Sequence, residues 1–199
     1  MDLGLRAKVG LVTGGSLGIG RAAALGLARE GAHVAVCARG KEALEAAADA
    51  IRAGGGKALA VQADCTRPEE AARLMRTVVA EFGRIDILVN SLGAAKGGNF
   101  LELTERDWQE SLALKLLGQI RSCREVLPIM RAQGRGVIVN VIGHRGKQPE
   151  GRALPAGVAN AGLINFTVGL AQEEARYGIR VVGVNPAPVE TRRFQEVVE

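Results

Sequence analysis

The stretch Thr13-Gly14-Gly15-Ser16-Leu17-Gly18-Ile19-Gly20 has the residue types and spacing to hold a phosphorylated ligand. It follows an apolar run and leads directly into a helical pattern. One glycine permits a tight turn, another lets backbone N–H groups approach a pyrophosphate, and the last allows close packing of the helix. The order is T-G-x-x-x-G-I-G rather than the commoner G-x-G-x-x-G. The next apolar run ends in Ala38-Arg39, with Lys41 nearby and the first acid, Glu42, already on the following helix. A carboxylate at that strand end would accept from the 2′-OH of NAD, whereas an arginine attracts a 2′-phosphate. NADP(H) is therefore favoured over NAD(H), the alternative being that Arg39 is a solvated strand cap.

Other chemistries find little support. The 3 cysteines (Cys37, Cys65, Cys123) and 2 histidines (His33, His144) are far apart in sequence. They suggest neither a disulfide framework nor a metal site. Lys and Arg number 26 against 21 Asp and Glu, a net charge of +5, but the basic residues are interspersed with acids as in Arg67-Pro68-Glu69-Glu70. With no basic run to track a phosphate backbone and only 3% aromatic residues to stack on bases, nucleic acid is not an expected partner. The N-terminus lacks a signal-peptide layout, and no stretch reads as the roughly 18 apolar residues that cross a bilayer. A cytoplasmic protein without a membrane partner is expected.

Elements that could position the glycine loop and Arg39 alternate regularly along the 199 residues, which read as one domain, 1–199. Apolar runs predict strands at Val9–Thr13, Ala32–Cys37, Ala58–Gln62, Ile85–Asn90, Gly136–Val141 and Ile179–Asn185. Helical patterns predict helices at Gly18–Glu30, Lys41–Ala53, Pro68–Phe82, Thr104 to about Arg131, and about Pro155–Tyr177. Thr104-Glu105-Arg106-Asp107 is a candidate capping box. Continuously apolar strands separated by helices belong to a sheet covered on both faces. The fold class is therefore α/β, a Rossmann-like, doubly wound parallel sheet in three α/β/α layers with strand order 3-2-1-4-5-6. Ligands are expected at the carboxyl ends of the strands.

With the glycine loop, four further stretches make the sequence resemble the short-chain dehydrogenase/reductase family. Asp64, with Cys65 beside it, follows the third strand where the family's adenine-contacting Asp lies. Asn90-Ser91-Leu92-Gly93 is similar to its N-N-A-G stretch, and Asn185-Pro186-Ala187-Pro188-Val189-Glu190-Thr191 to its N-P-G-x-V-x-T stretch. Trp108 lies where the family's long fourth helix often carries one. The resemblance covers Leu5 to Phe194. It implies cofactor contacts from Gly14, Ser16, Leu17, Gly18, Ile19, Gly20, Arg39, Asp64, Cys65, Asn90, Gly93, Pro186, Val189 and Thr191. It also implies self-association through the long helices 104–131 and 155–177. Relatives carry a substrate-covering segment, a last helix and a seventh strand beyond this point, and the chain ends at Glu199 without them. Within these residues an unpaired sheet edge and a pocket without a lid are expected, the alternative being that the sequence is a truncated chain.

The resemblance also implies a catalytic tetrad, and here the residues depart from it. The positions of the family's Asn, Ser, Tyr and Lys fall on Lys115, Gly143, Ala156 and Asn160. Reduction of ketones by the family's usual route loses its proton donor, a contribution of roughly 10²–10⁴-fold, and its oxyanion contacts. Lys115, His144 and Asn160 are the candidate replacements: an ammonium donor, an acid near neutral pH, and a hydrogen-bonding amide. Each also has a plain structural reading, as a snorkelling helix residue, a solvated loop residue and a neutral filler. Three functions stay open. The favoured one is an NADP(H)-dependent oxidoreductase acting on a small carbonyl or alcohol through a non-standard site. The others are a catalytically silent NADP(H)-binding sensor or regulatory subunit, and a structural partner.

Overall fold

The computed structural model describes residues 2–190. Six strands form one sheet in the order β3-β2-β1-β4-β5-β6. They are β1 (Val9–Thr13), β2 (His33–Ala38), β3 (Ala58–Gln62), β4 (Ile87–Asn90), β5 (Gly136–Val141) and β6 (Ile179–Val184). All pairings are parallel, and Thr13 stands opposite both Cys37 of β2 and Asn90 of β4. The helices are α1 (Gly18–Arg29), α2 (Lys41–Ala53), α3 (Pro68–Phe82), α4 (Glu105–Leu112), α5 (Gly118–Gln133) and α6 (Leu154–Glu174). The expected sheet order and the helix between each pair of strands are therefore present.

Two cores hold the layers together. On one face Leu44, Ala48 and Ile51 of α2 and Ala24 of α1 pack on Val12, Val34 and Val36. On the other, Leu74, Met75 and Val78 of α3 and Cys123, Val126 and Met130 of α5 pack on Leu11, Leu88 and Ile138. Their spacing is that of a helix with one apolar stripe. Helix ends follow local chemistry. Pro68 opens α3, and Gly83 closes it in the left-handed conformation at φ 76°. Thr104 and Asp107 form the reciprocal capping box expected at the start of α4.

Three expectations need correction. The long fourth helix is not continuous: Ala113–Leu117 is a π-helical turn between α4 and α5. Hydrophobic period alone cannot reveal one residue's worth of underwinding. Coverage of the sheet is also uneven. Val182 and Val184 of β6 are each 48% exposed, because among the described residues only α1 and α2 lie on that face and both sit over the opposite half of the sheet. Finally, the segment Gly151–Tyr177 is long and apolar enough by composition to cross a membrane, with a mean hydropathy of 1.3 over 18 residues. In the fold it packs along β6 and against α4 and the π-helical turn, and Phe166 and Leu170 join the α3–α5 core. Strand and helix ends otherwise shift by one or two residues from the expected ones, as at β4, which starts at Ile87.

Candidate functional site

The carboxyl ends of the strands open onto a cleft of about 850 Å³ where the strand order reverses at β1. Its floor is the glycine loop. The Gly15 N–H donates to the Cys37 carbonyl at 3.1 Å, and the Ser91 N–H donates to the Thr13 carbonyl at 3.0 Å, tying the loop region to β2 and β4. Gly14 has φ +67°, and a methyl group there would overlap the Ser91 carbonyl. A methyl group on Gly20 would overlap the Gly14 carbonyl. Both positions therefore require glycine. The N-cap of α1 is Leu17, whose side chain accepts nothing from the first turn. The helix thus presents its leading N–H groups to the cleft uncapped by a side chain.

Ten of the expected cofactor residues line this cleft: Gly14, Ser16, Leu17, Gly18 and Ile19 from the loop, Arg39, Asp64, Cys65, Gly93 and Pro186. Arg39 is exposed at the rim, its carbonyl accepting from Gln62 Nε2 at 2.8 Å. Asp64 is fixed at both ends, its N–H donating to Glu70 Oε2 at 2.8 Å and its Oδ1 accepting from the Thr66 N–H at 2.9 Å. Gly20, Asn90 and Val189 do not line the cleft, and Thr191 lies outside the described residues. Sequence reasoning missed Ala43 and Ala63 in the walls. Small apolar side chains carry no chemical signature, and only their place after a strand could have singled them out.

Asn90 has a different task. Thr13 Oγ1 donates to Asn90 Oδ1 at 3.0 Å, Asn90 Nδ2 donates to Asn140 Oδ1 at 3.0 Å, and Asn140 Nδ2 donates to Thr167 Oγ1 at 3.0 Å. All four residues are buried, at 0, 0, 0 and 5% exposure. The first three stand in register on β1, β4 and β5, so the chain of hydrogen bonds crosses the sheet beneath the cleft and ends on α6. Buried amides paired this completely rigidify what they connect. Asn140 and Thr167 were not recognised in the sequence, where a lone Asn in an apolar run carries no partner.

At the other end of the cleft the π-helical turn carries Lys115. Its Nζ donates to the Ile142 carbonyl at 2.8 Å, and the side chain is half-buried and lines the cleft opposite Gly93. Gly143 has φ +119°. Asn160, 3% exposed, packs its amide nitrogen 3.0 Å from where a Gly143 Cβ would stand, and its Oδ1 has no hydrogen-bond partner among the described residues. His144 opens a 3-10 turn, with its backbone N–H donating to the Pro186 carbonyl at 3.1 Å. Of the three candidate replacements only Lys115 lines the cleft; His144 and Asn160 do not. The chain's one tyrosine, Tyr177, stacks under Arg131 at 4.3 Å, at the end of α5.

Comparison with known proteins matches residues 8–199 to the family model for short chain dehydrogenase. The chain belongs to the short-chain dehydrogenase family. It is 37% identical over 188 residues to a 3-oxoacyl-(acyl-carrier-protein) reductase of Synechocystis sp., spanning 94% of this chain and 76% of that protein. Among solved structures, L-sorbose reductase from Gluconobacter frateurii, complexed with NADPH and L-sorbose, superimposes with a TM-score of 0.95 at 34% identity, over 99% of this chain and 75% of that one. NAD+-bound xylitol dehydrogenase gives 0.95 at 29% identity, over 98% and 76%. Two structures of this fold thus carry different dinucleotides, and the choice for this chain rests on its own residues.

Proposed function

We propose that this chain is an NADP(H)-dependent oxidoreductase acting on a carbonyl or alcohol through an active site rebuilt around Lys115. The observation that carries the reading is Arg39 at the rim of a cleft floored by a glycine cradle. The cradle fits a dinucleotide, since its two essential glycines keep backbone close to backbone and the α1 N-terminus faces the cleft. Gly14, Ser16, Leu17, Gly18 and Ile19 would hold the pyrophosphate, Arg39 the 2′-phosphate, Asp64 and Cys65 the adenine, and Gly93 and Pro186 the nicotinamide end. When bound, the cofactor supplies or accepts hydride. Lys115, whose Nζ donates to the Ile142 carbonyl in the cleft wall, can pass a proton from Nζ to a developing alkoxide.

A second reading has its own observation. Ala156 and Gly143 replace the acid and the hydroxyl that the family resemblance implies, so a protein that binds NADP(H) without turning it over fits the same cleft. Self-association belongs to the proposal as well. It is supported by a groove of about 470 Å³ between α5 and α6, where Ile120, Leu127, Phe166 and Leu170 line the wall together with the charged Arg124, Arg131, Glu173 and Glu174. Sedimentation of the purified chain at several concentrations tests it.

The deciding experiment is a calorimetric titration of NADPH and NADH into the wild type and Arg39→Ala. NADPH should bind at least about tenfold tighter, roughly 1.4 kcal/mol, and the variant should lose that preference. No binding of either nucleotide overturns the reading. NADPH oxidation with a panel of carbonyls then separates the enzyme from the silent binder.

A further inference from the structure

Two of the three cysteines meet in one wall of the cleft. Cys37 ends β2's run of buried residues and Cys65 follows β3; they are 1% and 2% exposed and belong to the same apolar cluster. Both line the cleft on either side of Ala63, beside Asp64. Cys37 Sγ donates to the Ala63 carbonyl at 3.6 Å, two residues before Cys65, and the two thiols are close enough to influence each other's ionisation. Short-chain chemistry has no use for a dithiol here, and an apolar wall needs none.

We propose that Cys37 and Cys65 form a reversible disulfide, driven by a hydroperoxide, that closes the adenine end of the cleft. The proposal rests on the nucleotide reading given above. The two thiols are unlike. The neighbouring Cys37 thiol holds the Cys65 thiol below the ordinary thiol range, against the opposing effect of burial, with Ser122 assisting. The acids Asp64 and Glu70 face it and act in the other direction. Cys37 is pushed well up by the Cys65 thiol and by burial. Cys37, whose thiol is engaged on the Ala63 carbonyl, is the resolving thiol and Cys65 the nucleophile.

The Cys65 thiolate attacks one oxygen of the hydroperoxide; the O–O bond breaks, and Cys65 becomes a sulfenic acid as water or alcohol leaves. Cys37 sulfur then attacks the sulfenic sulfur, the S–O bond breaks, and its proton leaves with the hydroxyl as a second water. Two electrons pass from the two thiols to the peroxide. Bonding Cys65 to Cys37 of β2 ties down the Ala63-Asp64-Cys65 segment and shifts Asp64, its neighbour in the cleft wall. Cys123 is a built-in control. It is 1% exposed, its thiol is pushed up to about 12 by burial, and it does not line the cleft.

The test treats the reduced full chain with graded hydrogen peroxide, with and without saturating NADPH, and reads intact mass, tryptic peptides and NADPH affinity. The expected result is a loss of two mass units, a cross-linked pair of peptides bearing Cys37 and Cys65, and intact Cys123. NADPH affinity should fall at least about tenfold and return on adding dithiothreitol, and NADPH should slow the cross-linking. In Cys37→Ala, which keeps a small residue in the wall, dimedone should trap Cys65 as its sulfenic adduct without cross-link. Oxidation of Cys123 as readily as Cys65, or overoxidised Cys65 with no cross-link in the wild type, overturns the proposal. So does a cross-link that leaves NADPH affinity unchanged. Should the reduced protein bind no NADPH, the nucleotide reading and the closure fall together, while the mass measurement still decides whether the disulfide forms.

Discussion

Opposing effects meet at Asp86. Burial pushes its carboxyl up, but hydrogen bonds from Arg84, at 2.6 and 2.8 Å, and from the Val9 N–H, at 3.0 Å, outweigh burial and hold it below the usual carboxylate range. Because the folded value lies below the unfolded one, about 3.9, these contacts stabilise the fold fully above that pH. The contribution fades as pH falls through the lower folded value. Asp86→Asn should therefore flatten part of the acid side of the Tm-against-pH curve while changing its neutral shape little, as followed by circular dichroism. At Lys115 the expected effect is on turnover. With any carbonyl found to be reduced, Lys115→Ala should lower kcat by roughly 10²-fold or more while NADPH affinity changes little, because a proton donor acts in the transition state. An unchanged kcat would leave the proton to solvent. Gly20→Ala should abolish nucleotide binding by calorimetry, since the added methyl meets the Gly14 carbonyl and the loop has to open.

At the scale of elements, the hydrogen-bond chain from Thr13 to Thr167 ties three strands to α6 directly below the cleft. Removing one member leaves its neighbours buried and unpaired. Asn140→Ala should cost about 2–3 kcal/mol in urea unfolding, more than the roughly 1 kcal/mol expected for Thr104→Ala at the exposed capping box of α4. The π-helical turn at Ala113–Leu117 is the element that sets Lys115 in the cleft. It lies between a capped helix and one that starts at buried Gly118, where a methyl group would press on Leu92 at 3.1 Å. Nothing in the sequence announced the turn, because its hydrogen bonds depend on how α4 and α5 pack rather than on the residues in it.

At the largest scale, the described residues cover one half of the sheet well and leave Val182 and Val184 of β6 exposed on one face of the other. Native-state hydrogen exchange should find the slowest amides in β1 and β4, which are central and fully buried, and faster exchange in β6, which pairs with β5 alone among the described residues. Strand order, the parallel sheet and the two helical layers were all legible in the sequence. Continuous apolar runs between helices admit few other arrangements, and the glycine loop marks where β1 ends. The loop's role in shaping a cleft was legible for the same reason: glycines at those spacings answer a local backbone demand. Other parts depended on distant partners. Asn90 reads as a ligand residue in sequence, yet register with Asn140, 50 positions away, makes it a strut. His144 and Lys115 looked equivalent as polar replacements, but only Lys115 lines the cleft. Cys37 and Cys65, 28 residues apart, became a pair only when β2 and β3 came together. The sequence by itself determined the fold and the place of the cleft, since these follow from period, spacing and backbone chemistry within short windows, while the family was legible through the resemblance of its motifs. The tertiary structure alone decided which polar side chains face the cleft and which are satisfied inside, because contacts between strands and helices far apart in the chain are set by packing.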